Sequence, residues 1–224
     1  MSDAQEIEVS GEKGKALVRA AEQIREGLLK FVAEGVGPVN GSASYARDRL
    51  ERFADPERAV KRIVHETQAA TGASGFVTGL GGLATMPITI PAGFAGAAML
   101  NARMVAAIAH IRGYNIDDPL VQQVILMVVA GESANAAVRA VGVKVASELG
   151  KKGVAKVSVD TIRAINRKVG FMLLAKYGTS RSAITLAKAI PVLGGLVGGT
   201  VDAAFTRAVG AAAKRAFVRA ADHQ

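Results

Sequence analysis

The sequence contains no cysteine and no tryptophan, and aromatic residues make up only 4% of its 224 residues. Without cysteine, the chain cannot form a disulfide scaffold or a cysteine-ligated zinc site. With so few aromatic residues, its core has to be built from Ala, Val, Leu and Ile, so helices must pack closely through small side chains. At this length we expect one domain, or at most two small ones, burying roughly 70% of the unfolded surface.

No pattern in the sequence identifies a reaction. The glycine-rich run at residues 79–84 matches a dinucleotide fingerprint formally, but no strand-like segment precedes it and no acidic residue follows about twenty positions later. His65 begins a metalloprotease pattern, but Ala69 stands where its second histidine would be. We therefore predict no cofactor and no metal ion.

Positive charge is concentrated in the last part of the chain. Residues 1–138 hold 13 Lys and Arg against 15 Asp and Glu, a net charge of −2, whereas residues 139–224 hold 15 against 4, a net charge of +11. The first residues are acidic and polar, unlike a secretory leader or an arginine-rich transit peptide. We expect residues 1–12 to form a flexible tail before a helical domain at residues 13–224, in the cytoplasm.

The apolar pattern predicts helices throughout. Apolar residues recur at helical spacing over residues 17–32, and a glycine-proline segment at residues 35–38 ends this helix. The Asp-Pro pairs at residues 55–56 and 118–119 are helix-start signals, because Asp accepts free N–H groups and Pro fits the first turn. No segment alternates apolar and polar residues long enough to predict a sheet. Two further helices are predicted at about residues 133–149 and 154–177.

The middle of the chain is free of charge. Residues 67–102 contain no Asp, Glu, Lys or Arg, and Pro87 and Pro91 interrupt any continuous helix. The first arm, residues 72–86, would be about 22 Å long at ~1.5 Å per residue, which is shorter than a hydrocarbon core of ~30 Å. We predict an all-α, single compact domain with a central apolar, glycine-rich helical hairpin in its core; a surface-inserting or re-entrant hairpin is the alternative.

A second charge-free segment lies near the C-terminus. Residues 189–201 contain two pairs of glycines four residues apart, and the hairpin repeats this spacing at Gly75 and Gly79. Glycines four apart on a helix let another backbone approach closely. We expect the two glycine-rich faces to pack against each other.

A basic amphipathic helix is predicted within the positively charged part. Its basic face consists of Lys152, Lys156, Arg163 and Arg167, spaced by four and seven residues. Such a face can lie on an anionic membrane or on nucleic acid, or it can be the solvated side of an ordinary core helix. No aromatic residue interleaves these four, which disfavours nucleic acid and favours phosphate headgroups.

Several motifs resemble those of the EcsC family. They are the run from Thr78 to Gly82, the prolines at 87 and 91, Arg103, the run from Gly113 to Pro119, Tyr177, and the closing segment at residues 188–195. The resemblance implies a helical fold, a bacterial cytoplasmic setting and a link to membranes or lipids, because the family takes its name from a gene that neighbours an ABC transporter. It implies no catalytic residue and no cofactor.

The leading hypothesis is a non-enzymatic helical protein that binds an acyl chain or lipid, or associates peripherally with the inner face of the membrane. Met and Leu adapt their shape to a flexible chain. The residues predicted to line a hydrophobic groove are Phe76, Leu80, Leu83, Met86, Ile90, Phe94 and Met99. The basic face defined above is predicted to hold headgroups or the bilayer surface.

Two other classes stay open. An interaction module would pack its glycine-rich faces against a partner protein, such as a transporter subunit. An enzyme would need polar groups that converge in a pocket, for instance around His65, Asp118 or Asp202.

Overall fold

The computed structural model describes residues 12–80, 92–131 and 191–218, which form six helices and one small β-hairpin. The helices are α1 (Glu12–Glu34), α2 (Ser42–Phe53), α3 (Pro56–Leu80), α4 (Ala92–Ile111), α5 (Pro119–Val129) and α6 (Pro191–Ala216). The all-α fold class is confirmed. The predicted tail up to residue 11, the proline turn and the helices predicted at 133–149 and 154–177 lie outside the described residues.

Helix α1 ends at Glu34, as the glycine-proline segment at residues 35–38 predicts, but the small β-hairpin that follows was not predicted. The strands β1 (Gly35–Val36) and β2 (Val39–Asn40) pair antiparallel between α1 and α2. Gly35 and Gly37 have φ angles of 79° and 57°, which glycine adopts without a steric penalty. Each strand has only two residues, so the alternation that identifies a strand in a sequence cannot develop.

Both predicted helix starts are confirmed. Asp118 precedes α5, and its Oδ1 accepts a hydrogen bond from the backbone N–H of Leu120 at 2.7 Å. Asp55 precedes α3, and its Oδ1 accepts from the backbone N–H of Glu57 at 2.9 Å. In each case a carboxylate satisfies a backbone donor that has no partner within the helix.

Helix α4 lies at the centre and contacts α1, α2, α3, α5 and α6. Its residues 104–109 are completely buried, which explains why α4 carries no charge between Arg103 and His110. Helix α5 is enclosed in a similar way, with nine of its eleven residues buried. The core therefore consists of closely packed aliphatic side chains, as the scarcity of aromatic residues predicts.

Helices α3 and α6 pack antiparallel through small residues. A Cβ atom at Gly72 would lie 3.5 Å from the carbonyl oxygen of Gly199, and one at Gly210 would lie 3.0 Å from the methyl groups of Val64. The hydroxyl groups of Thr71 and Thr206 hydrogen-bond to each other at 2.9 Å. The two helices therefore approach closely at Gly72 and Gly199, whereas nothing tests the expected contact of the face formed by Gly75 and Gly79.

Gly41 is expected to be intolerant of any side chain. A Cβ atom at this position would overlap the carbonyl oxygen of Ala33, which belongs to the backbone of α1. The substitution Gly41→Ala should lower the free energy of unfolding by about 1–3 kcal/mol, since a backbone atom cannot move aside without shifting a helix. Urea denaturation measures this change.

The matched control is Gly27→Ala in the middle of α1, where a Cβ atom meets nothing within 4 Å. Alanine is a better helix former than glycine, so this variant should gain about 0.5–1 kcal/mol. Equal effects of the two substitutions would contradict the close approach at Gly41.

Candidate functional site

Three helices bring their uncharged parts to the same end of the fold. These parts are residues 67–80 of α3, 92–102 of α4 and 191–201 of α6, and we call them together the uncharged end. Their common location follows from the antiparallel packing, since Gly210 of α6 lies against both Val64 of α3 and Met104 of α4. The opposite end carries charge, for example the ion pair between Arg112 and Glu57 at 2.8 Å.

The boundary of the uncharged end lies at nearly one level on all three helices. Glu66 is the last charged residue of α3 before it, and Arg103 is the first of α4 after it; both interact electrostatically with Tyr45. On α6 the first charged residue is Asp202, and the carbonyl of the next residue, Ala203, accepts a hydrogen bond from Gln68 at 3.5 Å. The boundary is therefore a feature of the folded structure.

The exposed side chains of the uncharged end are small or aliphatic. On α3 and α6 they are Ala69, Ala70, Ala73, Thr200 and Val201. Val201 is 43% exposed and, with Val36 of the β-hairpin, is one of two exposed large hydrophobic side chains in the described part of the chain. The side chains of such a surface form few hydrogen bonds with water.

Polar side chains inside the uncharged end are satisfied largely by their own helices. Thr67 donates to the carbonyl of Ile63 at 2.8 Å, and Thr71 donates to that of Thr67 at 2.9 Å. The Asn101 amide nitrogen donates to the carbonyl of Ala97 at 2.9 Å, while its buried Oδ1 has no partner among the described residues. These bonds to the preceding helical turn let hydroxyl and amide groups lie in an apolar environment without water.

A cluster of charged residues and one tyrosine forms part of the boundary. This arginine–tyrosine cluster consists of Tyr45, Arg49, Arg62, Glu66 and Arg103. Oε2 of Glu66 accepts hydrogen bonds from the Tyr45 hydroxyl and from Nε of Arg49, each at 2.8 Å. Oε1 of Glu66 accepts from Nε of Arg62 at 2.7 Å. Helices α2 and α3 are thus joined through one carboxylate.

The hydrogen bonds of the cluster shift the protonation of its members. Burial alone would raise the pKa of Glu66, but the donors on Arg62, Tyr45 and Arg49 outweigh it and lower the pKa below its ordinary value. Burial, together with the hydrogen bond to Glu66 and the charge of Glu66, raises the pKa of Tyr45 to about 12. At neutral pH the cluster therefore holds an ionised Glu66 and a neutral Tyr45.

Arg103 differs from the other partly buried arginines of the described residues. Its guanidinium carbon lies 4.2 Å from the centroid of the Tyr45 ring, and its Nη1 donates to the carbonyl of Asn40 at 3.5 Å. The described residues contain three other partly buried arginines, Arg25, Arg49 and Arg112, and each pairs with a carboxylate. No carboxylate of the described residues lies within 4 Å of Arg103.

The structure places only some of the predicted site residues. Of the predicted groove residues, Met99 alone has a described side chain, and it packs against the hydrophobic core. Phe76 and Leu80 lie on the helical backbone of α3, and Phe94 lies on that of α4. The remaining groove residues, Leu83, Met86 and Ile90, and the whole basic face, Lys152, Lys156, Arg163 and Arg167, lie outside the described residues.

The groups considered for an enzyme are dispersed where the structure shows them. Asp118 caps α5, His65 is exposed on α3, and Asp202 lies at the charge boundary of α6. Burial lowers the pKa of His110 at the end of α4. In residues 12–80, 92–131 and 191–218, no three acidic or histidine side chains are grouped as metal ligands.

Sequence reasoning missed the arginine–tyrosine cluster, although two signals for it were present. Glu66 and Arg103 bound the charge-free segment on its two sides, and Tyr45 and Arg49 are spaced to share one helix face. Neither signal predicts that the two pairs are in contact.

Within the described residues, no helix is both long and apolar enough to cross a membrane.

These features define a class of helical protein with an uncharged end, a charged boundary and a small-residue core. The chain belongs to the EcsC protein family, whose model matches residues 19–219. The resemblance in the sequence is confirmed, and the match also includes most of α1. Comparison with curated proteins and with solved structures gave no match. Family membership by itself assigns no activity.

The depressed pKa of Glu66 predicts that its stabilising effect depends on pH. The substitution Glu66→Gln removes a charge that Arg62, Tyr45 and Arg49 bind, and should lower the free energy of unfolding at pH 7 by about 1–3 kcal/mol. Folding lowers the pKa of the Glu66 carboxyl group, so this group stabilises the folded state fully at pH values above its unfolded pKa, near 4.5. The stabilisation is lost as the pH falls through the lower pKa of the folded state. The difference between wild type and variant should therefore shrink below about pH 4.5.

Chemical denaturation across pH 3–7 measures this difference. Glu51→Gln is the control, because Glu51 is an exposed glutamate of α2 and should change stability by no more than about 0.5 kcal/mol. A Glu66→Gln effect that stays constant from pH 7 to pH 3 would contradict the cluster.

Proposed function

We propose that the protein associates peripherally with an anionic membrane and binds lipid there through the uncharged end. The main support is that α3, α4 and α6 bring their charge-free parts to one end of the fold, with small or aliphatic side chains exposed on it. Contact with acyl chains removes such surface from water without burying a charge.

The dimensions of the uncharged end are compatible with insertion into one leaflet. On α4, the eleven uncharged residues 92–102 span about 17 Å at ~1.5 Å per residue. Half of a hydrocarbon core of ~30 Å is about 15 Å. The charged boundary would then lie at the level of the headgroups. Thr71 and Asn101 bond to backbone carbonyls of their own helices, as polar groups do where water is absent.

The basic face at Lys152, Lys156, Arg163 and Arg167 has a complementary role in this proposal. Each basic residue near an anionic bilayer contributes about 1 kcal/mol of attraction, and residues 139–224 carry a net charge of +11 (15 basic minus 4 acidic). This attraction would bring the protein to the surface before apolar contacts form. Phe76, Leu80, Leu83, Met86, Ile90, Phe94 and Met99 would then contact the acyl chains.

A substitution at the exposed Val201 tests whether the uncharged end contacts the membrane. The substitution Val201→Glu places a charge on its exposed surface, and should weaken binding to phosphatidylglycerol vesicles by about tenfold or more, because the carboxylate must be desolvated or protonated. Vesicle sedimentation measures the binding. The control is Ala208→Glu, seven residues further along the same face of α6 and also exposed.

Equal loss of binding in both variants would point to a general charge effect and would count against the uncharged end as the contact surface. If wild-type protein does not sediment with phosphatidylglycerol vesicles at low salt, and organic extraction of the purified protein yields no lipid by mass spectrometry, the proposed function is wrong.

The basic face should control the dependence on salt and on lipid charge. Replacing Lys152, Lys156, Arg163 and Arg167 by Gln should reduce binding to phosphatidylglycerol vesicles strongly, and should flatten its decrease between 50 and 300 mM salt. Binding to neutral phosphatidylcholine vesicles should change little. An unchanged salt dependence would contradict the assignment.

A protein-interaction module remains the second candidate, because the exposed Val201 also suits a protein partner such as a transporter subunit. This candidate is favoured if the wild-type protein binds a transporter subunit but does not bind vesicles of any composition. The substitution Val201→Glu should then abolish the complex.

A further inference from the structure

We propose that Arg103 binds the phosphate of a phospholipid headgroup, at a site formed by the arginine–tyrosine cluster at the edge of the uncharged end. The proposal rests on the proposed function, because it names the lipid group recognised there. Its first support is that no carboxylate of the described residues pairs with Arg103, whereas every other partly buried arginine of those residues has one.

Among the described residues, the positive charges around Arg103 outnumber the carboxylates. Glu66 accepts hydrogen bonds from Arg49 and Arg62, and the exposed Asp48 also pairs with Arg49. Asp48 pairs with Arg52 as well, so these two carboxylates are shared by three arginines, and Arg103 is the fourth positive charge. Since Arg49 also repels it, an anion placed next to Arg103 would reduce unfavourable electrostatic energy as well as add attraction.

The contacts of Arg103 fix its guanidinium group in a position in which it can bind an oxyanion. Its guanidinium group is fixed against the Tyr45 ring at 4.2 Å, and the hydroxyl of the same ring is held by Glu66 at 2.8 Å. A guanidinium group has five N–H donors, and among the described residues only the carbonyl of Asn40 accepts one of them. The donors that remain match the spacing of two phosphate oxygens.

The location of the cluster selects a lipid phosphate as its ligand. Arg103 is the first charged residue of α4 beyond the uncharged residues 92–102, so it would reach the phosphate layer when those residues contact acyl chains. Arginine and tyrosine side chains combine an apolar body with a polar tip, and this property suits them to the membrane interface. A phosphate held by Arg103 would orient the lipid with its chains toward the uncharged end.

The test compares Arg103→Gln with Arg58→Gln in sedimentation with phosphatidylglycerol vesicles. Both substitutions remove one positive charge, but Arg58 is exposed at the opposite end of α3. We expect Arg103→Gln to weaken binding about tenfold, the loss of one charge-assisted bidentate contact, and Arg58→Gln to change it less than twofold. Arg103→Lys should fall between wild type and Arg103→Gln, because a lysine keeps the charge but not the planar fork. Equal affinities of Arg103→Gln and Arg58→Gln would overturn the proposal.

A second measurement does not depend on vesicles or on the stability of a variant. The full-length wild-type protein, labelled with ¹⁵N-arginine, is titrated with monomeric dihexanoyl phosphatidylglycerol and, separately, with inorganic phosphate. A shift of the Arg103 Nε–H signal with the short-chain lipid, at concentrations where inorganic phosphate has little effect, supports the proposal. An equal response to inorganic phosphate overturns the lipid as the source of the phosphate, and no response to either overturns the site.

The two proposals can fail separately. If Val201→Glu weakens vesicle binding and Arg103→Gln does not, the uncharged end binds membranes and the phosphate site is wrong. If the Arg103 signal responds to the short-chain lipid but Val201→Glu binds vesicles as wild type does, the site stands and the uncharged end is not the contact surface.

Discussion

The close antiparallel packing of α3 against α6 is the constraint on which the described structure depends. Gly72 faces Gly199, and Gly210 faces the side chain of Val64, so at each of these contacts at least one of the two helices contributes no side chain. A chain without tryptophan and with few aromatic residues has to gain its dispersion energy from such short distances. The same packing places the charge-free parts of both helices at one end, so the described helices have one uncharged and one charged end.

Helix α4 connects this packing to the candidate site. Residues 104–109 are enclosed on every side, and Arg103 lies directly before them, where the helix leaves the core. The buried residues fix the rotation of α4 and therefore the direction of Arg103 toward the Tyr45 ring. Burial lowers the pKa of Arg103 from its ordinary value, so keeping this cation partly out of water has an energetic cost. A ligand that supplies negative charge would offset that cost.

At the boundary between the two ends, hydrogen bonds neutralise the last charged side chain of α3 before the helix becomes apolar. Glu66 binds Tyr45, Arg49 and Arg62 at once, so that its negative charge is matched before α3 enters its uncharged part. Thr67 and Thr71 then use carbonyls of α3 itself. The change from charged to apolar surroundings along α3 therefore takes about one helical turn. Such a short transition is compatible with the interface between a membrane and water.

The sequence by itself determined the local elements. Asp55 and Asp118 mark helix starts because a carboxylate at that position bonds to free N–H groups, and the charge-free segments can be read directly from composition. The basic face at residues 152–167 stays a prediction, since it lies outside the described residues. Only the tertiary structure decided that Tyr45 meets Glu66, 21 residues away, and that Arg103 meets Asn40, 63 residues away. Helical periodicity shows which residues share a face, but which faces meet is decided by the packing of the whole core.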